Sequence, residues 1–107
     1  MKLTFDEALE RIGDERHVSA NDVRADALRR SVWVAEWHIP GCLSESFSVV
    51  TSKRDAIACA LSMAESEEGP PRGMKTALQR SGRFDSNSPL FGTCVNTIEK
   101  RTLADLL

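Results

Sequence analysis

Tyrosine is absent from this chain of 107 residues, and its other aromatic side chains are two tryptophans and four phenylalanines. Proteins that bind single-stranded nucleic acid commonly stack its bases on aromatic side chains, and this composition offers few of them. The formal net charge is −2. The chain as a whole is therefore neither a polycation that binds nucleic acid through its phosphates nor a polyanion that imitates one.

Long apolar runs are missing too, and no segment approaches the ~18 consecutive apolar residues that a membrane span requires. The first residues, MKLTFDEALERIG, carry acidic side chains where a signal peptide has an apolar block. We therefore expect a cytoplasmic protein that does not contact membranes.

The three cysteines, Cys42, Cys59 and Cys94, are an odd number and show no CxxC spacing. This pattern disfavours a secreted disulfide framework, so reduced thiols are expected. A zinc site would have to combine these cysteines with His17 and His38 from separate elements of the fold. The sequence therefore predicts no metal and no cofactor, and it predicts that Cys59 and Cys94 are buried as small apolar side chains.

Motifs of catalysis are equally sparse, because the glycines are scattered singly and form no phosphate-binding loop. His38 and Cys42 flank a Pro-Gly pair, and a histidine next to a cysteine can generate a thiolate nucleophile. No third residue that would orient such a pair is evident in the sequence. We predict that the protein is not an enzyme, and a thiol enzyme built on this pair ranks last among the hypotheses.

The richest structural signal lies in Ser31–Ala64, which predicts a strand, a tight turn, a second strand and a helix in unbroken order. Within Val32–Ile39 every second residue is apolar, as a half-buried strand requires, and this set comprises Trp33, Ala35, Trp37 and Ile39. Both tryptophans are therefore expected in the core, on one face of a sheet. Pro40-Gly41 then suits a type II turn.

Two further elements follow that turn. Phe47 to Thr51 predicts the return strand, because it combines aromatic and β-branched residues. Ser52 is a good helix cap, and the pattern after it predicts a helix from Lys53 to about Ser66.

The N-terminal third predicts two helices. Thr4 and Glu7 have the spacing of a capping box, and the helix that they begin is expected to end at Gly13. Ser19 repeats the start signal for a second helix, which is expected to run to about Arg30.

The C-terminal third predicts a basic helix of about two turns that begins near Met74 and stops at Gly82. Arg83 to Gly92 is rich in turn-forming residues, and Thr93–Ile98 predicts a third strand. The last residues, from Thr102, predict a closing helical turn.

The order of these elements is ααββααβα, within a single domain that spans residues 1–107. We therefore predict an α+β fold, with a small antiparallel sheet of about three strands and helices packed on one face. Such a sheet leaves edge strands that can pair with another chain.

Charge is distributed unevenly along the chain. Glu36 to Glu68 contains six acidic and two basic residues, whereas the next four charged residues are all basic. Neighbouring surfaces of opposite sign favour fast and specific protein association. The candidate partner-binding residues are Glu65, Glu67, Glu68, Arg72, Lys75, Arg80 and Arg83.

The same basic run carries an alternative hypothesis. On one helix, Arg72, Lys75 and Arg83 can share a face, and Phe84 and Phe91 nearby could stack a base. A small nucleic-acid-associated regulator would use this helix. Because tyrosine is absent and the isoelectric point is about 5.7, contact with nucleic acid is not favoured over contact with protein.

The residues V-x-E-W-H-I-P-G-C-L-S-E-S and, after a short strand, S-K-R-D-A-I-A-C-A resemble small accessory proteins that are encoded by phages and other mobile elements. The resemblance covers about a third of the chain. It implies a mobile-element context, in which small accessory proteins commonly occupy a surface of a host protein complex, as anti-CRISPR and other anti-defence inhibitors do. We therefore predict a non-enzymatic protein-binding accessory protein, with a host or phage protein complex as its partner.

Overall fold

The computed structural model describes residues 1–41, 45–64, 69–88 and 92–107. Within them one antiparallel sheet has four strands in the spatial order β2-β1-β4-β3. The strands are β1 Ser31–His38, β2 Glu45–Val50, β3 Arg83–Ser88 and β4 Gly92–Thr102. The helices are α1 Phe5–Gly13, α2 Ala25–Leu28, α3 Lys53–Ala64 and α4 Met74–Ser81, with 3₁₀ turns at Ala20–Asp22 and Leu103–Leu106. No helix of these residues is long and apolar enough to cross a membrane.

The α+β class with one antiparallel sheet is confirmed, but the prediction of about three strands missed β3. The segment predicted as turn-rich pairs along its length with β4, from Arg83 opposite Thr97 to Ser88 opposite Gly92. Its polar residues have low strand propensity, so pairing with β4 overrides the local preference. The order ααββααβα therefore becomes ααββααββ, followed by the closing 3₁₀ turn from Leu103.

Helices lie on both faces of the sheet, and the prediction of helices on one face is wrong. Alternate residues of a strand point to opposite faces, so Val32 and Ala35 of β1 face opposite ways. Val32 is buried in a first core with Phe5, Ala8, Ala27 and Leu103. Ala35 is buried in a second core with residues of α3, α4 and β4, which are Ala56, Ile57, Ala60, Met74, Leu78 and Ile98.

The two tryptophans are less buried than predicted. Trp33 packs against the second core, yet both Trp33 and Trp37 are only half-buried. The fully buried Ala35 lies between them in sequence, and α3 presents the small side chains of Ala56 and Ala60 to the same core. These small residues allow α3 to approach β1 closely at Ala35. The two tryptophans therefore lie beside this contact and not within it.

The first two strands and the third helix follow the predicted order. Gly41 has φ +85°, which fits the Pro40-Gly41 reversal, and β2 then pairs with β1 from Trp33 opposite Val50 to His38 opposite Glu45. The backbone N–H of Asp55 donates to Ser52 Oγ at 3.1 Å, which confirms the cap of α3. The end predicted near Ser66 lies outside the described residues.

The start of α1 and its end at Gly13 are confirmed, but Gly13 is not the residue that caps that end. Thr4 and Glu7 form the capping box, and the Thr4 N–H lowers the pKa of the Glu7 carboxyl by donating to it. Gly13 is the last helical residue, and Glu15 instead adopts the left-handed conformation with φ 58°. The backbone N–H groups of Glu15 and Arg16 close a Schellman motif onto Ile12 and Arg11.

Because Gly13 is helical and Glu15 occupies the left-handed position, two substitutions are expected to stabilise the protein. Gly13→Ala should stabilise the protein by about 0.5–1 kcal/mol, because alanine favours a helix and an added Cβ meets no atom within 4 Å. Glu15→Gly should stabilise it by about 1 kcal/mol, because glycine adopts a left-handed conformation without steric penalty. Urea unfolding measures both changes. A lower unfolding midpoint for either variant would contradict this description of the helix end.

The predicted second helix, Ser19 to about Arg30, is interrupted at Val23. Val23 is extended and bridges to Leu3, with the Leu3 N–H donating to the Asp22 carbonyl at 2.7 Å and the Arg24 N–H to the Leu3 carbonyl at 3.0 Å. Since these hydrogen bonds engage the same backbone groups that a continuous helix needs, only the short α2 forms after them.

The C-terminal elements are close to the prediction. Helix α4 stops at Gly82, which has φ +72°. The strand predicted at Thr93–Ile98 is observed as the longer β4, and Thr102 and Asp105 cap the closing turn.

Candidate functional site

The predicted partner-binding residues are distributed over several elements. Glu65, Glu67 and Glu68 lie outside the described residues. Arg72 is exposed just before α4, and Lys75 and Arg80 are exposed on α4. Their role in binding a partner stays a prediction.

The expected basic face of a single helix is wrong, because Arg83 begins β3. The next residue, Phe84, packs against the second core beside α4, so Arg83 points to the opposite face of the sheet. Arg83 Nε and Nη2 donate to the Asp85 carboxylate at 3.0 and 3.4 Å, and these hydrogen bonds raise the pKa of the guanidinium. Lys75 and Arg80 are five positions apart, about 140° around α4.

The structure instead combines Lys75 with two basic residues that the sequence analysis left out. A cavity of about 510 Å³ lies between α3 and α4, and we call it the α3–α4 groove. It is lined by Lys53, Arg54, Ile57, Ala58, Leu61, Lys75 and Gln79. Lys53 Nζ donates to the Gln79 carbonyl at 3.0 Å and lies 5.9 Å from the centre of the Trp33 ring.

A second cavity, of about 500 Å³, follows the outer edge of β2, and we call it the β2-edge groove. Five consecutive residues of β2, 46–50, form its base, and Ile12, Gly13, Glu15 and Cys59 complete the lining. Ile12 packs with the first core and Cys59 with the second, so helices α1 and α3 flank the strand on its two faces. The groove is therefore a slot with the strand edge at its base.

The two edge strands of the sheet differ in composition. Strand β3 carries the Arg83–Asp85 ion pair, and charged side chains protect an edge against pairing. Strand β2 has the sequence ESFSVV, without lysine, arginine or proline, and its one charged residue, Glu45, stands at its first position. Phe47 at its centre is 60% exposed, more than any other large apolar side chain of the described residues except Met1. The sequence analysis foresaw an exposed edge but could not choose between the two.

The thiols lie in different surroundings. Cys94 is buried as predicted, whereas Cys59 is only half-buried and lines the β2-edge groove. Both are unbridged. Cys42 lies outside the described residues, so the His38–Cys42 pair does too. Of the residues that the structure describes, no three His, Cys, Asp or Glu side chains lie close enough to hold a metal ion.

A buried amide ties β3 to β4. Asn96 is fully buried, and its Nδ2 donates to the Phe84 carbonyl and to Ser86 Oγ, both at 3.2 Å. Its Oδ1 has no hydrogen-bond partner among the residues that the structure describes. The amide therefore helps to hold an edge strand whose own sequence is a poor strand former.

Comparisons with protein-family models, with curated proteins and with solved structures gave no match.

Proposed function

We propose that this protein is a non-enzymatic accessory protein that binds another protein by pairing one of its extended segments with β2. The observation that carries the proposal is the β2-edge groove, which follows an edge strand of the described sheet and has an exposed phenylalanine at the centre of that strand. Pairing of this kind is a common mode of peptide recognition, in which backbone hydrogen bonds supply affinity and alternate side chains supply specificity.

The two faces of β2 would contact different side chains of the partner's strand. Phe47 and Val49 point to the face of the first core, whereas Ser46, Ser48 and Val50 point to the face of the second. An added strand would thus place its alternate residues beside Phe47 and Val49 on one side and beside two serines and Val50 on the other. A segment with large apolar residues at every second position fits this pattern.

The resemblance to phage and mobile-element proteins supports the choice of partner. We propose that the partner belongs to a host protein complex and that the bound protein inhibits it by covering a surface that the complex needs. Association through an edge strand suits such a role because it requires no reaction and no cofactor.

The nucleic-acid alternative depended on Arg72, Lys75 and Arg83 sharing one helix face. Since Arg83 lies in β3 and is paired with Asp85, the surface which that hypothesis requires is not assembled as predicted. We therefore favour a protein partner.

The substitution Phe47→Lys tests the proposal, because a lysine on an edge strand opposes strand pairing. We expect the variant to lose the protein that the wild-type chain captures from its native host, identified by mass spectrometry. Its stability should change by less than about 0.5 kcal/mol, since the side chain is exposed. Asn87→Lys, on the edge strand β3, is the matched control and should retain the partner.

Two results would overturn the proposal. One is equal capture by the Phe47→Lys and wild-type proteins. The other is self-association of the wild-type chain in analytical ultracentrifugation that Phe47→Lys abolishes, because a second copy would then occupy the edge.

A further inference from the structure

The α3–α4 groove has a charge pattern that nothing in the proposed strand pairing uses. Of the seven described residues that line it, Lys53, Arg54 and Lys75 are basic and none is acidic. Neither Arg54 nor Lys75 forms an ion pair within the described residues. Cations held near one another without a counter-charge attract an anionic ligand.

The floor of the groove is apolar. Ile57 is buried, Leu61 is half-buried, and Ala58 is exposed beside them on α3. The volume of about 510 Å³ is comparable to the ~300–1,000 Å³ of pockets that hold small-molecule ligands. A ligand that fills this space must therefore combine negative charge with apolar side chains.

We propose that the α3–α4 groove binds an acidic amphipathic helix of a partner protein. The apolar residues of such a helix, spaced i, i+4 and i+7, would rest on Ile57 and Leu61, while its carboxylates would face Lys53, Arg54 and Lys75. Lys53 is already fixed in place by the Gln79 carbonyl, so it presents its charge with little loss of conformational freedom.

The groove favours a protein ligand over nucleic acid. Among the described residues no aromatic side chain lines it, so they offer no platform on which a base could stack. A phosphate backbone would also leave Ile57 and Leu61 without an apolar partner. The groove shares no residue with the β2-edge groove, so the two proposals are tested separately.

The test uses the full chain and a fluorescein-labelled peptide of about 15 residues, built from glutamate, alanine and leucine with leucines at i, i+4 and i+7. Fluorescence anisotropy should detect binding that weakens as salt rises from about 50 to about 300 mM. Lys75→Glu should weaken binding roughly tenfold or more. The control is Arg29→Glu, which reverses an exposed charge just after α2, on the first-core face of the sheet, and should change affinity less than about twofold.

Two further probes separate the ligand classes. A peptide with the leucines replaced by serine keeps the charge and should bind much more weakly. Oligothymidylate of about 15 nucleotides should not compete with the acidic peptide. Phe47→Lys should bind the acidic peptide like the wild type, because the substitution lies in the other groove.

The proposal is overturned if the acidic peptide does not bind to the folded chain, if the serine peptide binds equally well, or if Lys75→Glu has no effect. Oligothymidylate that binds more tightly, and loses affinity in Lys75→Glu, would assign the groove to nucleic acid. If Phe47→Lys and the wild-type chain capture the partner equally, the peptide-binding measurements of the α3–α4 groove still decide the present proposal.

Discussion

Replacing Gly82 with alanine is expected to destabilise the protein by about 2–4 kcal/mol. Gly82 has φ +72°, a left-handed conformation that alanine adopts only at a cost of about 1–2 kcal/mol. An added Cβ would also lie 2.9 Å from the Ile98 carbonyl oxygen, and this backbone atom cannot move without disturbing β4. Urea unfolding followed by circular dichroism measures the change.

Gly73→Ala is the matched control for this substitution. Gly73 has φ +83°, but an added Cβ there would meet no atom within 4 Å. The strain of the left-handed conformation is thus present without the clash, and we expect a loss of only about 1–2 kcal/mol. Equal losses for Gly73→Ala and Gly82→Ala would show that the close approach to Ile98 contributes nothing.

Gly82 has this importance because it joins α4 to β3. Its carbonyl accepts a hydrogen bond from the Ile98 N–H at 2.8 Å, which fixes the chain against β4 as the helix ends. The next residues then alternate, with Arg83 on one face of the sheet and Phe84 packed against the second core. The left-handed conformation of Gly82 therefore ends α4 before Arg83, so that Arg83 lies on the sheet and not on the same helix as Lys75.

The second large effect is expected for Leu78→Ala, which should destabilise the protein by about 2–5 kcal/mol. Leu78 is fully buried in the second core, where it anchors α4 against the sheet. Removal of its side chain leaves a cavity that the surrounding core can fill only in part. The same urea titration measures the loss.

Leu107→Ala is the control, because it removes the same side-chain atoms from an exposed position. Leu107 is exposed at the end of the chain, so we expect a change below about 0.5 kcal/mol. If Leu78→Ala lowered the free energy of unfolding no more than Leu107→Ala does, α4 would not be packed against the sheet as described. The α3–α4 groove would then lack the residues that α4 contributes to it.

The parts of the fold that the sequence predicts best are those with local hydrogen-bonding signals. Thr4 and Ser52 cap their helices as expected, and Pro40-Gly41 marks a reversal, because each signal acts within a few residues. Helix α2 was predicted too long because the bridge that interrupts it involves Leu3, twenty residues from Val23.

Strand β3 and the two grooves could not be predicted because they too depend on contacts between residues that are distant in sequence. The residues RFDSNS show no apolar alternation, and they become a strand only by pairing with β4. The basic rim of the α3–α4 groove joins Lys75 to Lys53 and Arg54 of another helix, whereas charges counted along the chain grouped Lys75 with Arg80 and Arg83. Tertiary packing, and not sequence proximity, decides which charges share a surface.

Hydrogen exchange, followed by mass spectrometry, with and without the captured partner is the most direct test of binding through β2. Amides that become paired with an added strand exchange more slowly, because they are protected by new backbone hydrogen bonds. We predict slower exchange in β2 on binding and unchanged exchange in β3. Unchanged exchange across β2 in a saturated complex would contradict the account.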